Sequence, residues 1–270
     1  MKRIQLFEFE DFNWFPRSIR SAMTNLIVVF HKMTGTQEVV ESIVEPILGD
    51  LDEDKIVDMG SGSGGIMPAV LRSINDKKEN KVKLLLTDLH PNPQIVLQYD
   101  QTENMAYQAE SFNACNLEQA PKGLKTMMNS FHHMPPEIPG SILKSASDAK
   151  QPILIYEMGQ NNIPLVLWWL FLPISLVIIM LMVLFMTPFV RPMTWQQIVF
   201  TYLIPVIPIC YAWDGQASLV RMYTFDDLRF LLNKNRLEEN GVGYQWTIKS
   251  ALKPNGNRLG YYIYGRPKNA

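Results

Sequence analysis

Cysteine is nearly absent from this chain of 270 residues: only Cys115 and Cys210 occur, with no CxxC or Cys/His ligand spacing around them. That excludes a disulfide framework and a cysteine-rich zinc site, and it fits a metal-free protein whose soluble part is cytosolic. An excess of positive charge is missing too. With 25 Lys and Arg against 26 Asp and Glu the net charge is -1, so the concentrated basic face of a nucleic-acid binder is not expected and nucleic acid is excluded as a partner. The N-terminal stretch MKRIQLFEFEDFNWFP lacks the unbroken apolar run of a signal peptide, since Glu8, Glu10 and Asp11 interrupt it, and nothing in it suggests export. There is no internal repeat and no low-complexity linker. The sharpest absence is local: between Glu157 and Asp214 the only charged residue is Arg191.

What is present elsewhere alternates between helical and strand periodicity. Pro16 to Met33 spaces Ile19, Met23, Leu26, Ile27 and Phe30 on one face and Arg17, Arg20 and Thr24 on another, an amphipathic helix expected to cap a sheet or to lie on anionic lipid. Gln37 to Leu48 is a second helix, with Gly49 as its C-cap. Strands are expected at Lys55–Met59, Val82–Thr87, Thr126–Phe131 and Pro152–Tyr156, interleaved with helices from Ile66 to Ile74, after the Pro91-Asn92-Pro93 turn, and from Ile138 to Ala149. Thr224 to Asp227 resembles a capping box that opens a helix, and strands Tyr244–Ala251 and Leu259–Tyr264 close the chain. Such alternation implies a parallel, doubly wound α/β sheet.

The first strand runs straight into Asp58-Met59-Gly60-Ser61-Gly62-Ser63-Gly64-Gly65 and then a helix. Missing side chains there let the backbone approach a nucleotide-like cofactor. Gly60, Gly62 and Gly65 alone also satisfy a dinucleotide GxGxxG pattern, so glycine spacing leaves both cofactors open. Asp58, two residues before the first glycine, resembles the (D/E)xGxGxG signature of class I S-adenosylmethionine-dependent methyltransferases, and Asp88, ending the next strand, matches the acid that binds cofactor ribose in such folds. The resemblance covers roughly 35 to 160 and 222 to 267. It implies a Rossmann-like, doubly wound seven-stranded sheet with a C-terminal antiparallel hairpin, and S-adenosyl-L-methionine as cofactor. Its cofactor residues are expected to be Asp58, Gly60, Ser61, Gly62, Gly64, Asp88 and Asn129. For the adenine, the strand near Phe112-Asn113-Ala114 offers Asn113, with Ser111 or Asn116 in its place, where the family often carries an acid.

The segment Asn129-Ser130-Phe131-His132-His133-Met134 resembles the family segment beside which the acceptor meets the methyl group. His133 and His132 are the candidate general bases, because imidazole titrates near neutrality. Glu157, at the end of the fifth strand, is expected at the same edge, orienting a substrate or holding a helix. Trp213 and Tyr223 are expected either to flank a sulfonium or to anchor and pack, and Trp14 and Phe15 likewise.

Ile163 to Val190 is uncharged and long enough, at about 1.5 Å per residue, to cross a hydrocarbon core of about 30 Å. Pro173 and Pro188 interrupt it, and Pro205 and Pro208 break a second apolar stretch, Trp195 to Tyr211. Since the last helix and hairpin must return to the sheet, the insertion is expected to enter and leave one leaflet as a hairpin with Arg191 near its turn. The resulting plan is an N-terminal helical cap (1–50), a methyltransferase domain (51–160 and 222–270) and a membrane-associated insertion (161–221). The expected activity is methylation of a lipophilic small-molecule acceptor, with membrane lipid as a further partner and the catalytic domain on the cytoplasmic side. The competing readings are a membrane-associated NAD(P)-dependent oxidoreductase and a non-catalytic scaffold with the same fold.

Overall fold

A computed structural model of the chain describes residues 2–51, 53–99, 102–237 and 243–268. In chain order the elements are α1 (Arg17–Thr34), α2 (Thr36–Leu51), β1 (Lys55–Met59), α3 (Met67–Lys77), β2 (Lys83–Thr87), α4 (Pro93–Tyr99), β3 (Met105–Tyr107), β4 (Leu124–Met128), α5 (Glu137–Asp148), β5 (Ile153–Glu157), α6 (Leu165–Met186), α7 (Trp195–Ile198), α8 (Val206–Arg221), α9 (Phe225–Lys234), β6 (Tyr244–Leu252) and β7 (Arg258–Pro267). They fall into two compact units, Gly35–Gly159 with Phe225–Ala270, and Lys2–Thr34 with Gln160–Thr224. The expected cap over 1–50 is thus shared between them, α2 going with the sheet and α1 with the apolar segment.

The sheet unit holds seven strands in the order β3-β2-β1-β4-β5-β7-β6. The first five are parallel, and β7 runs antiparallel between β5 and β6. Strands such as β5, buried at all five positions, read as continuous apolar runs because helices cover parallel sheets on both faces. One part of that cover is visible in the core: Val39, Val44 and Leu48 of α2 and Met67, Val70 and Leu71 of α3 pack with Ile56, Leu84 and Leu154 of the strands. At the amino ends of β4 and β5 the buried Lys125 ammonium donates to Pro121 O, Gly123 O and Gln151 Oε1, which ties the two strands together.

Three local expectations change. Gly49 does not cap α2 but lies inside it, the helix ending at Leu51. The third strand is Met105–Tyr107 rather than a segment near Phe112; three residues carry too little periodicity to stand out. The fourth strand stops at Met128 instead of Phe131, because Asn129 turns left-handed (φ 53°) and Phe131–His133 coils into one tight turn.

In the second unit α6 is followed by a short turn, Thr187–Phe189, and then by α7, which widens at Val199–Leu203 into a π-turn closed by Ile204 N–H donating to Val199 O at 3.0 Å. The axis bends by 83° before α8, and α8 packs back along α6, so the insertion is a helical hairpin. Arg191 sits in its turn, donating to Pro188 O and Val190 O. Among the described residues one helix, Leu165–Phe189, is long and apolar enough to cross a membrane, and only 22% of its most apolar window is buried. Helix α1 buries Ile19, Met23 and Leu26 against Val183 and Met186 of α6 and Ile207 of α8. Of its basic face Arg17 is exposed, while the Arg20 guanidinium donates to Glu10 O and Phe12 O and lies over the Phe15 ring.

Candidate active site

The glycine loop leaves β1 with Gly60, Gly62, Gly64 and Gly65 all at positive φ, a backbone path that L side chains rarely take. At Gly64 a Cβ would stand 2.4 Å from the Tyr99 hydroxyl oxygen, so that position also requires glycine for space. Asp58, at 3% exposure, holds the loop from below: Oδ2 accepts from Ser61 Oγ and Oδ1 from Thr126 Oγ1, each at 2.6 Å. Ser61 is tied in further, its N–H donating to Thr87 O. Burial pushes the Asp58 carboxyl up to about 7; Asp88 adds to the rise, while the two hydroxyl bonds oppose it.

Asp88 ends β2 and meets the loop directly. Its Oδ2 accepts from Gly62 N–H at 2.9 Å and its Oδ1 from His90 N–H at 2.8 Å, and Tyr107 donates to Gly62 O. The segment beyond β3 comes alongside, since Phe112 N–H donates to Asp88 O and Ser111 Oγ to Leu89 O. Asn113 therefore lies one residue from the Asp88 contact, but its side-chain oxygen accepts from Cys115 N–H in a local turn, leaving the amide nitrogen as the group suited to an adenine edge. Asn116 donates its N–H to Asn113 O in the same turn.

At the carboxyl ends of β4 and β5 a carboxylate organises the histidine segment. Fully buried Glu157 accepts from Phe131 N–H and His132 N–H through Oε1 and contacts His132 Nδ1 through Oε2 at 2.7 Å. A carboxylate against Nδ1 favours the tautomer that carries its proton on that nitrogen, which assigns Nε2 as the basic one. The His133 ring stands 4.2 Å from that of His132, centroid to centroid. Asn129 joins the two strand ends, donating to Tyr156 O and accepting from Met158 N–H; in this arrangement it is a strut of the site. Gly260 of β7 lets the antiparallel hairpin close on this edge, because a Cβ there would fall 2.1 Å from Glu157 O.

Two features escape a reading of the sequence. Glu157 as the partner of His132 is one, because 25 positions separate them. Ser130 is the other: its Oγ is buried, has no partner among the described residues and lies 3.1 Å from where a Gly60 Cβ would stand. The aromatic candidates are engaged inside their own unit. Trp213 stacks on Phe7 and donates to Phe7 O, Tyr223 lies under the Arg3 guanidinium, Trp14 stacks on Phe12, and Phe15 is buried with α1.

Sheet order, terminal antiparallel hairpin and glycine loop together define the class I methyltransferase fold. No protein-family model matches the sequence, and no curated protein matches it. Solved structures do. The plantazolicin methyltransferase BpumL in complex with SAH is similar at TM-score 0.55 and 12% identity, over 94% of this chain and 90% of that one. The plantazolicin methyltransferase BamL, in complex with a triazolic desmethylPZN analog and SAH, is similar at TM-score 0.51 and 12% identity, over 93% and 98%.

Proposed function

We propose that this chain transfers a methyl group from S-adenosyl-L-methionine to a neutral, lipophilic acceptor at a membrane, with its sheet unit on the cytoplasmic side. The observation that carries the cofactor half is the loop itself: four left-handed glycines locked to Asp88, the acid at the end of β2, through Gly62 N–H. SAH, the demethylated product, occupies both plantazolicin methyltransferases of the same fold. The residues fit such a ligand. Asp58 and the glycines suit its methionine end, Asp88 its ribose hydroxyls and Asn113 its adenine, while Gly62 N–H, now held by Asp88, becomes a donor to the ligand when that carboxylate turns to the ribose.

When bound, S-adenosyl-L-methionine supplies an electrophilic methyl on a sulfonium. Everything else falls to the chain's own groups. His132 takes the proton of an acceptor hydroxyl, phenol or amine at Nε2, and Glu157 stabilises the imidazolium that forms and keeps the ring from turning. His133, next to it, and Ser130, with its unpartnered hydroxyl, line the same strand end and position the acceptor.

Support for the lipophilic half comes from the exposed side chains of α6, among them Val166, Leu170, Ile174, Ile178 and Phe185, which form an apolar stripe too large for an ordinary soluble surface. Titration calorimetry with S-adenosylhomocysteine and with NADH tests the cofactor. The expected result is binding of the first only; binding of NADH alone makes the chain an oxidoreductase, and binding of neither makes it a scaffold. Transfer of radiolabelled methyl into a membrane extract, rather than its aqueous fraction, tests the acceptor.

A further inference from the structure

Within the apolar hairpin, polar side chains are buried where apolar ones would be expected. Gln197 of α7 and Thr201 of the π-turn are each 1% exposed. Neither Gln197 Oε1, Gln197 Nε2 nor Thr201 Oγ1 has a hydrogen-bond partner among the described residues. They lie four positions apart on a segment whose α7 part packs on α1 and whose π-turn packs on α6 and α8. Leaving a buried donor or acceptor unsatisfied costs about 1–3 kcal/mol each, so three such atoms on one helical face are held against a clear penalty. The π-turn, with its Val199–Ile204 hydrogen bond, widens the helix at this point, a feature often found where helices bind ligands.

We propose that Gln197 and Thr201 form a binding site for the polar end of a neutral lipophile, one carrying a hydroxyl or a carbonyl. Gln197 offers a donor and an acceptor, and Thr201 offers both on one atom, which suits a group such as a phenol. Neutrality follows from the surroundings: Arg191 is the one charge between Glu157 and Asp214, and its guanidinium is engaged with Pro188 O and Val190 O. The proposal stands whether or not the occupant is the methyl acceptor.

The test is equilibrium binding of radiolabelled para-decylphenol and decylbenzene to the full chain in lipid nanodiscs, each corrected for partition into empty discs. Saturable binding of the phenol but not of decylbenzene is expected, weakened about tenfold by Gln197→Met and by Thr201→Val, since each removes about one net hydrogen bond. Should Gln197→Met fail to fold, Thr201→Val, nearly isosteric, decides alone. Wild-type affinity in a folded variant, or no saturable phenol binding at all, overturns the proposal and leaves trapped water as the partner of these atoms. No methyl donor is present in the measurement, so its outcome is independent of the proposed transfer.

Discussion

In the sheet unit the buried side chains are Ile56, Leu84, Leu154 and their neighbours, and the buried acids Asp58 and Glu157 serve a site at the sheet edge. The other unit reverses that distribution. Beside its own buried apolar cluster, Val166, Leu170, Ile174 and Phe185 face outward, while Glu8 and Arg221, each 1% exposed, are paired inside at 3.0 Å, with Asp11 as a second partner of Arg221 at 2.7 Å. Asp214 accepts from Phe9 and Glu10 N–H, and Ser218 donates to Glu8, so the polar half of α8 clamps the N-terminal strap. An outward apolar face with its charges paired inside is what the proposed membrane setting favours, since unpaired charge is costly in hydrocarbon.

The largest effect expected from this contrast is at the clamp. Arg221→Met removes the buried guanidinium that Glu8 and Asp11 share and is expected to cost about 3–5 kcal/mol, read by unfolding in detergent. Adding Glu8→Gln should restore part of that loss; equal instability of single and double variants would mean the pair is not the cause. Next is the outward stripe. Ile174→Lys and Ile178→Lys are each expected to cost about 2.5–3.5 kcal/mol of bilayer insertion, abolishing co-flotation with liposomes without lowering S-adenosylhomocysteine affinity. Unchanged flotation would break the distinction between the units.

Smaller effects belong to the sheet unit. Gly260→Ala puts a methyl against Glu157 O at φ 89°, with an expected stability loss of about 1–3 kcal/mol. Because the displaced backbone carries the partner of His132, kcat should fall more than KM rises, and the acidic limb of the pH profile should move; a loss of stability alone would reduce Gly260 to packing. The mildest effect is electrostatic. Asp58 has its carboxyl raised, so the folded chain binds its proton more tightly than the unfolded chain does. Its contribution to stability is complete below about 4 and is lost as pH rises through about 7. Binding of the cationic methionine end runs the other way, strengthening up to about tenfold per pH unit below 7 and levelling off above it. Asp58→Asn should flatten that dependence in calorimetric titrations.

The sheet strands β1, β2 and β5 were legible because parallel strands buried on both faces are short uninterrupted apolar runs bounded by turn residues. The fourth strand misled because its last residues are pulled out of the sheet by Glu157, whose carboxylate takes the N–H groups of Phe131 and His132. In the same way one of the two arginines of α1, Arg20, is spent on carbonyls of the strap before it, a pairing no local pattern reports.

By itself the sequence determined the glycine loop and the apolar run after β5, because both depend on near neighbours: glycine spacing dictates local backbone path, and an uncharged stretch is read residue by residue. Only the tertiary structure decided which histidine Glu157 meets, what Asp58 touches and where the charges of α8 go. Those are pairings across 25 residues for His132 with Glu157, 68 for Thr126 with Asp58 and 210 for Arg221 with Asp11. A hydrogen bond needs its partner within about 3 Å, and no local pattern reports which distant residue the fold brings there.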